Sequence, residues 1–126
     1  EKVPFIKYQT DASVANIIET WCAEHFEEPP SVAMDVNSMS TCRHFVRAGL
    51  GWSILTYMGL GSCKDKDIYV SPLRSKDGTY ITRDTNMVYT KDAENLVVVK
   101  TFIEYVRNYY KEHTVVDDSI FREYKA

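Results

Sequence analysis

Apolar positions along the chain alternate between two rhythms: short continuous runs and stripes spaced by three and four. Val3-Pro4-Phe5-Ile6-Lys7-Tyr8 is a short apolar run of the kind that forms a buried strand. It ends at Gln9-Thr10-Asp11, where Asp11 or Thr10 is placed to cap a helix by accepting a backbone N–H. Beyond it Val14, Ile17, Ile18, Trp21, Cys22 and Phe26 form one helical stripe, closed by Glu27-Glu28-Pro29-Pro30, since proline cannot continue the hydrogen-bond ladder. Ser31 to Val36 reads as a second strand and Asn37-Ser38 as a second cap. Met39, Cys42, Phe45 and Val46 form the next stripe, with Arg47 in the last turn and Gly49 as the stop signal. Gly51-Trp52-Ser53-Ile54-Leu55 reads as a third buried strand. The first half is therefore predicted as β-α-β-α-β with short connections, which calls for parallel strands and right-handed crossovers.

The second half changes character. Gly59-Leu60-Gly61-Ser62 is a flexible or turn segment, Ile68-Tyr69-Val70 a short strand closed by Ser71-Pro72, and Asp77-Gly78 a hairpin-like turn. Tyr80 to Thr90 favours extended chain. With Thr90 or Asp92 as cap, a long helix is predicted over Ala93 to Glu112, with Leu96, Val99, Phe102, Ile103, Val106 and Tyr110 as its stripe. Asp92 and Glu94 suit the positive end of its dipole. The tail from Thr114 to Ala126 is charged, a short helix or disordered chain.

At 126 residues the chain has room for one domain with a real core. Its 44% apolar and 13% aromatic content is that of a globular protein. The formal charge of −3 and the scattering of Lys64, Lys66, Arg74, Lys76, Arg83 and Lys91 argue against direct DNA binding, which draws on a basic face. Three cysteines, Cys22, Cys42 and Cys63, form no CxxC pair, and the odd count points to a reducing, cytoplasmic compartment. Neither a leader pattern nor an apolar run near the ~18 residues of a membrane span is visible, so no membrane partner is expected.

Catalytic and metal chemistry find no constellation. Cys42 and His44 are two apart on a helix and diverge. Cys22 and His25 are three apart, but Cys22 lies in a core stripe, and two such groups are too few for a metal. Gly49-Leu50-Gly51 has Ile54 where a dinucleotide fingerprint has its third glycine, and Gly59-Leu60-Gly61-Ser62-Cys63-Lys64 lacks the Gly-Lys-Ser/Thr ending of a phosphate loop. The run Tyr105, Tyr109, Tyr110 at helical spacing reads as packing or an oligomer face. No enzyme, cofactor or metal is expected.

Phe45-Val46-Arg47-Ala48-Gly49-Leu50-Gly51-Trp52-Ser53-Ile54-Leu55 resembles the Val-x-Ala-Gly-Leu-Gly-hydrophobic segment in the effector-binding domain of LysR-type bacterial transcription regulators. Val36-Asn37-Ser38 before the helix, Ser71-Pro72-Leu73 after it, an extended stretch and a long last helix follow in the family's order. The resemblance spans roughly residues 3 to 112. Thr56 departs from it, standing where the family usually has proline.

The resemblance implies an α/β fold of two periplasmic-binding-protein-like lobes, each a mostly parallel central sheet flanked by helices, with the effector held between them. By this resemblance the chain matches the second lobe over 1–79 and the return crossing strand with the long C-terminal helix over 80–113, leaving a charged tail over 114–126, without the winged helix-turn-helix that would contact DNA. The implied function is small-molecule sensing for transcription control; the alternative is one lobe of a solute receptor serving transport. A homo-oligomer is expected, and the apolar stripe of the last helix needs either its own sheet or a second molecule as cover.

In such a sheet, ligands bind beyond the carboxyl ends of the strands, where helix N-termini offer free N–H groups. Three loops lie at that edge: Gln9-Thr10-Asp11, Asn37-Ser38-Met39 and Thr56-Tyr57. Thr10, Asn37, Ser38 and Thr56 are the residues expected to hydrogen-bond a small, anionic effector. Capping alone accounts for Asp11 and Ser38 without a ligand.

Overall fold

The computed structural model describes residues 3–61, 68–113 and 118–121. Ser62, Cys63, Lys64, Lys66 and most of the tail lie outside the described residues. The chain divides into two compact units, one built from residues up to Ile81 together with Phe121, the other from Thr82–Ile120.

The first unit opens with strand β1, Phe5–Tyr8, and helix α1, Ala12–His25. Of the two candidate caps it is Asp11 whose carboxylate accepts the Val14 amide, at 3.0 Å. Strand β2, Val32–Val36, runs parallel to β1, with an irregularity between Phe5 and Ile6. Helix α2, Met39–Arg47, follows, with the Ser38 hydroxyl accepting from the Thr41 amide at 3.1 Å. The expected cap, stripe and stop of α2 are all present.

The predicted third strand is not. Gly51 to Leu55 meets β1 in a single parallel bridge, Phe5 to Trp52, so the regular sheet has two strands. Ile6 donates to the Trp52 carbonyl at 2.9 Å and Trp52 to that of Pro4 at 3.0 Å. Thereafter hydroxyls replace backbone partners: Ser53 Oγ donates to the Ile6 carbonyl at 2.8 Å, and Tyr8 OH to that of Ile54 at 2.7 Å. These are the acceptors that a continuing parallel ladder would use next. The segment is still held against β1, closely enough that a Cβ on Gly51 would stand 2.5 Å from the Pro4 oxygen.

Ile6 and Cys42 are fully enclosed at 0% exposure and, with Tyr8, form the core between β1 and α2. Met34, Val36, Met39, Phe45, Val46 and Leu55 pack around them. Burial pushes the Tyr8 phenol up to about 12, with smaller contributions from Cys42 and Asp11. It raises the Cys42 thiol as well, partly opposed by a hydrogen bond with Ser53. Cys42 is thus an apolar core residue rather than a nucleophile.

A one-turn helix α3, Tyr57–Leu60, follows, and no regular strand forms at Ile68–Val70. The Asp77-Gly78 turn is present: Arg74 and Tyr80 make an antiparallel bridge, and Ser75 N–H donates to the Thr79 carbonyl at 2.9 Å. Asp77 accepts from the Ser75 and Thr79 hydroxyls and from the Thr79 amide. These bonds hold its carboxyl down at about 2.

In the second unit, residues 82–90 carry no regular element. The last helix starts later than expected. Lys91–Asn95 is a 3-10 turn, and helix α4, Val97–Glu112, begins after Leu96, whose φ of −85° and ψ of 119° interrupt the helical run. Neither Thr90 nor Leu96 supplies a side-chain cap. Only Ile103 of the α4 stripe is buried, at 4% exposure, whereas Leu96, Phe102 and Tyr110 are exposed. Asp118–Ile120 forms a further 3-10 turn. No helix among the described residues is long and apolar enough to cross a membrane.

Candidate functional site

Parallel pairing of β1 and β2 brings their carboxyl ends to one edge, and the Gln9 amide donates to the Val36 carbonyl across it at 3.0 Å. Gln9 Nε2 also donates to the Asp35 carboxylate at 3.1 Å. Beyond this edge the chain turns into α1 after β1 and into α2 after β2.

Three of the four expected residues are brought together there. Ser38 Oγ accepts the Thr41 amide and donates to Thr41 Oγ1 at 2.9 Å. Thr41 Oγ1 in turn donates to Asn37 Oδ1 at 3.5 Å, so Asn37, Ser38 and Thr41 form one relay at the head of α2. Thr56 enters from the other side. Its hydroxyl accepts the Gly59 amide at 3.1 Å and donates to the Met39 sulfur at 3.4 Å, on the residue next to Ser38. Proline, which the resemblance has at this position, makes neither bond.

The resulting cluster has two chemical resources. The first-turn amides of Met39 and Ser40 have no acceptor within the helix and carry the positive end of its dipole. The Thr56 hydroxyl hydrogen meets a thioether, a weak acceptor that a ligand oxygen outcompetes. Together they favour a small group bearing acceptor oxygens.

Thr10 lies at the same edge but stands apart. It lines a different feature, an apolar groove of about 500 Å³ between α1 and the sheet, together with Phe5, Ile18, Cys22, Phe26 and Val32. Cys22 is half-buried there, and burial raises its thiol. His25 offers it no help: the imidazole stacks on Trp21 at 4.4 Å and its Nδ1 lies 2.9 Å from the Trp21 carbonyl. Among the described residues no three His, Cys, Asp or Glu side chains converge as a metal site.

Reading the sequence missed Thr41. Its signal was the Ser38-x-x-Thr41 spacing, in which the third residue past a cap presents both its amide and its hydroxyl to the cap.

The sequence profile of the LysR substrate binding domain matches residues 1–111. An uncharacterized HTH-type transcriptional regulator of Bacillus subtilis strain 168, YraN, is 35% identical over 105 residues, covering 83% of this chain and 36% of its own length. A second from the same organism, YkuM, is 28% identical over 105 residues, covering 83% of this chain and 35% of its own length. The chain thus spans little more than a third of the curated relatives it matches.

Proposed function

The chain belongs to the LysR substrate-binding domain family, and from that premise we propose that it senses a small anionic metabolite for a transcription regulator. The observation that carries the reading is the hydroxyl and amide cluster of Asn37, Ser38 and Thr56 at the carboxyl edge of the parallel strands. Hydroxyls whose hydrogens go to one another, to the Asn37 amide oxygen and to a sulfur, beside first-turn amides with no acceptor within their helix, suit carboxylate oxygens as acceptors. The module binds rather than catalyses. Neither relative's name points to a transport receptor.

We place the effector against this edge, with Ser38 and Thr56 as direct hydrogen-bond partners and Asn37 orienting the first through Thr41. The opposing wall belongs to a second lobe of the regulator, and DNA contact to a helix-turn-helix outside residues 1–126. In this reading 1–79 is the effector lobe and 80–113 the return crossing with its helix; the regulator works in the cytoplasm as a homo-oligomer. Effector binding shifts the lobes between two arrangements, by no more than its difference in affinity for the two.

The test is a thermal-shift screen of the full-length regulator against small carboxylates, amino acids and aromatic acids. A ligand at a hundred times its dissociation constant stabilises by about 2.7 kcal/mol. Ser38→Asp keeps the cap and repels an anion, so it separates binding from folding. The expected outcome is an unshifted melting temperature without ligand and loss of the ligand-induced rise. An undiminished rise in Ser38→Asp rules out the anion at this edge.

A further inference from the structure

Thr56 is useful to an effector only if its turn is held at α2, and a helix of four residues does not hold itself. One turn lies far below the length at which a helix persists in water, because its few hydrogen bonds do not offset the cost of ordering the backbone. Something must dock it, and α2 presents two side chains for the purpose. Met39 and Arg43 are four residues apart and so share one face of α2. Each rests against a glycine. A Cβ on Gly59 would fall inside the Met39 sulfur, and one on Gly61 would stand 2.6 Å from Arg43 Nη1.

Gly61 also has φ 60° and ψ −153°, a conformation that only glycine adopts without strain. The segment leaving α3 is thus shaped to admit the guanidinium. What Arg43 does there is specific. Nη1 donates at 3.2 Å to the carbonyl of Gly59, in the last turn of α3, where carbonyls have no helical partner. A cation at that end also complements the helix dipole.

Gly59 is therefore gripped at both poles. Its amide donates to Thr56 Oγ1 at 3.1 Å, and its carbonyl accepts from Arg43. We propose that Arg43 is a positioning residue of the effector site, clamping the Gly59 carbonyl so that Thr56 is held beside Ser38. This rests on the effector reading above, and it adds a residue outside the cluster that does not touch the ligand.

The orphaned atom of Arg43 sharpens the point. Its Nε is buried and has no hydrogen-bond partner. Only one of its donors is needed at the carbonyl, so the fork geometry that distinguishes arginine from lysine is not used. A lysine reaching Gly59 keeps the charge and the bond without a buried, unpaired N–H. Arg43→Lys should rescue what Arg43→Gln loses.

The experiment measures amide hydrogen exchange and sulfate titration by NMR on the 126-residue chain in wild type, Arg43→Gln and Arg43→Lys. In Arg43→Gln, exchange at Gly59, Leu60 and Gly61 should rise by about tenfold while Ile6 and Gln9 in β1 are unchanged, and Arg43→Lys should restore it. Sulfate, used as an anion probe, should move the Ser38–Thr41 and Thr56–Gly59 signals together in wild type and Arg43→Lys. In Arg43→Gln it should move only the first set. Unchanged exchange at Gly59 to Gly61 in Arg43→Gln overturns the positioning role, as does a rise that extends through β1, which would make Arg43 a general support of the fold. Sulfate that moves neither set in wild type counts against the anion site, and the exchange data still decide the role of Arg43.

Discussion

Helices α2 and α4 have the same design on paper and different fates in the structure. Each has an apolar stripe at three-and-four spacing, with basic residues toward its end. In α2 the stripe sinks into a core: Cys42 is 0% exposed, with Phe45 and Val46 packed around the same cluster as Ile6. In α4 a single position, Ile103, is buried, while Phe102 and Tyr105 are more than half exposed. The starts differ too, since Ser38 caps α2 and no side chain caps α4. Periodicity says which face of a helix seeks cover. What supplies the cover is decided by the rest of the molecule, and α2 has β1 beneath it.

The strongest way to break this comparison is to delete side chains on each side of it. Ile6→Ala removes buried methyl groups from under α2 and should destabilise the chain by about 2–5 kcal/mol. Phe102→Ala on the exposed face of α4 should stay within about 0.5 kcal/mol. Urea denaturation of both variants checks the pair. A large loss from Phe102→Ala would mean that its face is covered in solution, by a second copy or another segment.

The caps are a smaller lever with opposite signs. Ser38→Ala frees the Thr41 amide and should cost about 0.5–2 kcal/mol. Leu96→Asp adds an acceptor and a negative charge at the uncapped start of α4, where Leu96 already has extended backbone, and should gain about 0.5–1 kcal/mol. Thermal melts suffice for both. Equal losses in the two variants would show that α4 is held at its start by something other than helix chemistry.

Much of this was legible because it is local. Asp11, Ser38 and the Gly49 stop are short-range signals, and the structure has α1 and α2 where those signals put them. The same holds for the Asp77-Gly78 turn. The failures are non-local. Gly51 to Leu55 has the composition of a strand, but Ser53 and Tyr8 are hydroxyl donors that take the carbonyls of the next ladder step. The periodic stripe from Leu96 onward hides the break at Leu96, because period alone does not register a change of backbone angle. At the candidate site, Asn37 and Ser38 were readable as residues that follow a strand, and Thr56 as one that follows the apolar run Gly51 to Leu55, which is not a strand. The side of the sheet to which Thr10 turns, and the docking of α3 by Met39 and Arg43, depend on contacts between distant segments.

The weakest lever is the phenol beneath α2, and pH exposes it. Tyr8 lies against Cys42 with its OH donating to the Ile54 carbonyl, and its folded value of about 12 stands above the ordinary 10. The unfolded chain therefore releases this proton first, so alkali favours unfolding. Tyr8's contribution is fully present below pH 10 and is lost as pH rises from 10 through about 12. At neutral pH, Tyr8→Phe should cost about 0.5–1.5 kcal/mol for the bond to Ile54. Between pH 10 and 12 the gap between wild type and Tyr8→Phe should close, because only the wild type has a proton to lose at that position. Urea midpoints of the two proteins across this range provide the measurement. A gap that stays constant would mean that the Tyr8 hydroxyl reaches water in the folded chain, and that the core on the α2 side is looser than its 5% exposure implies.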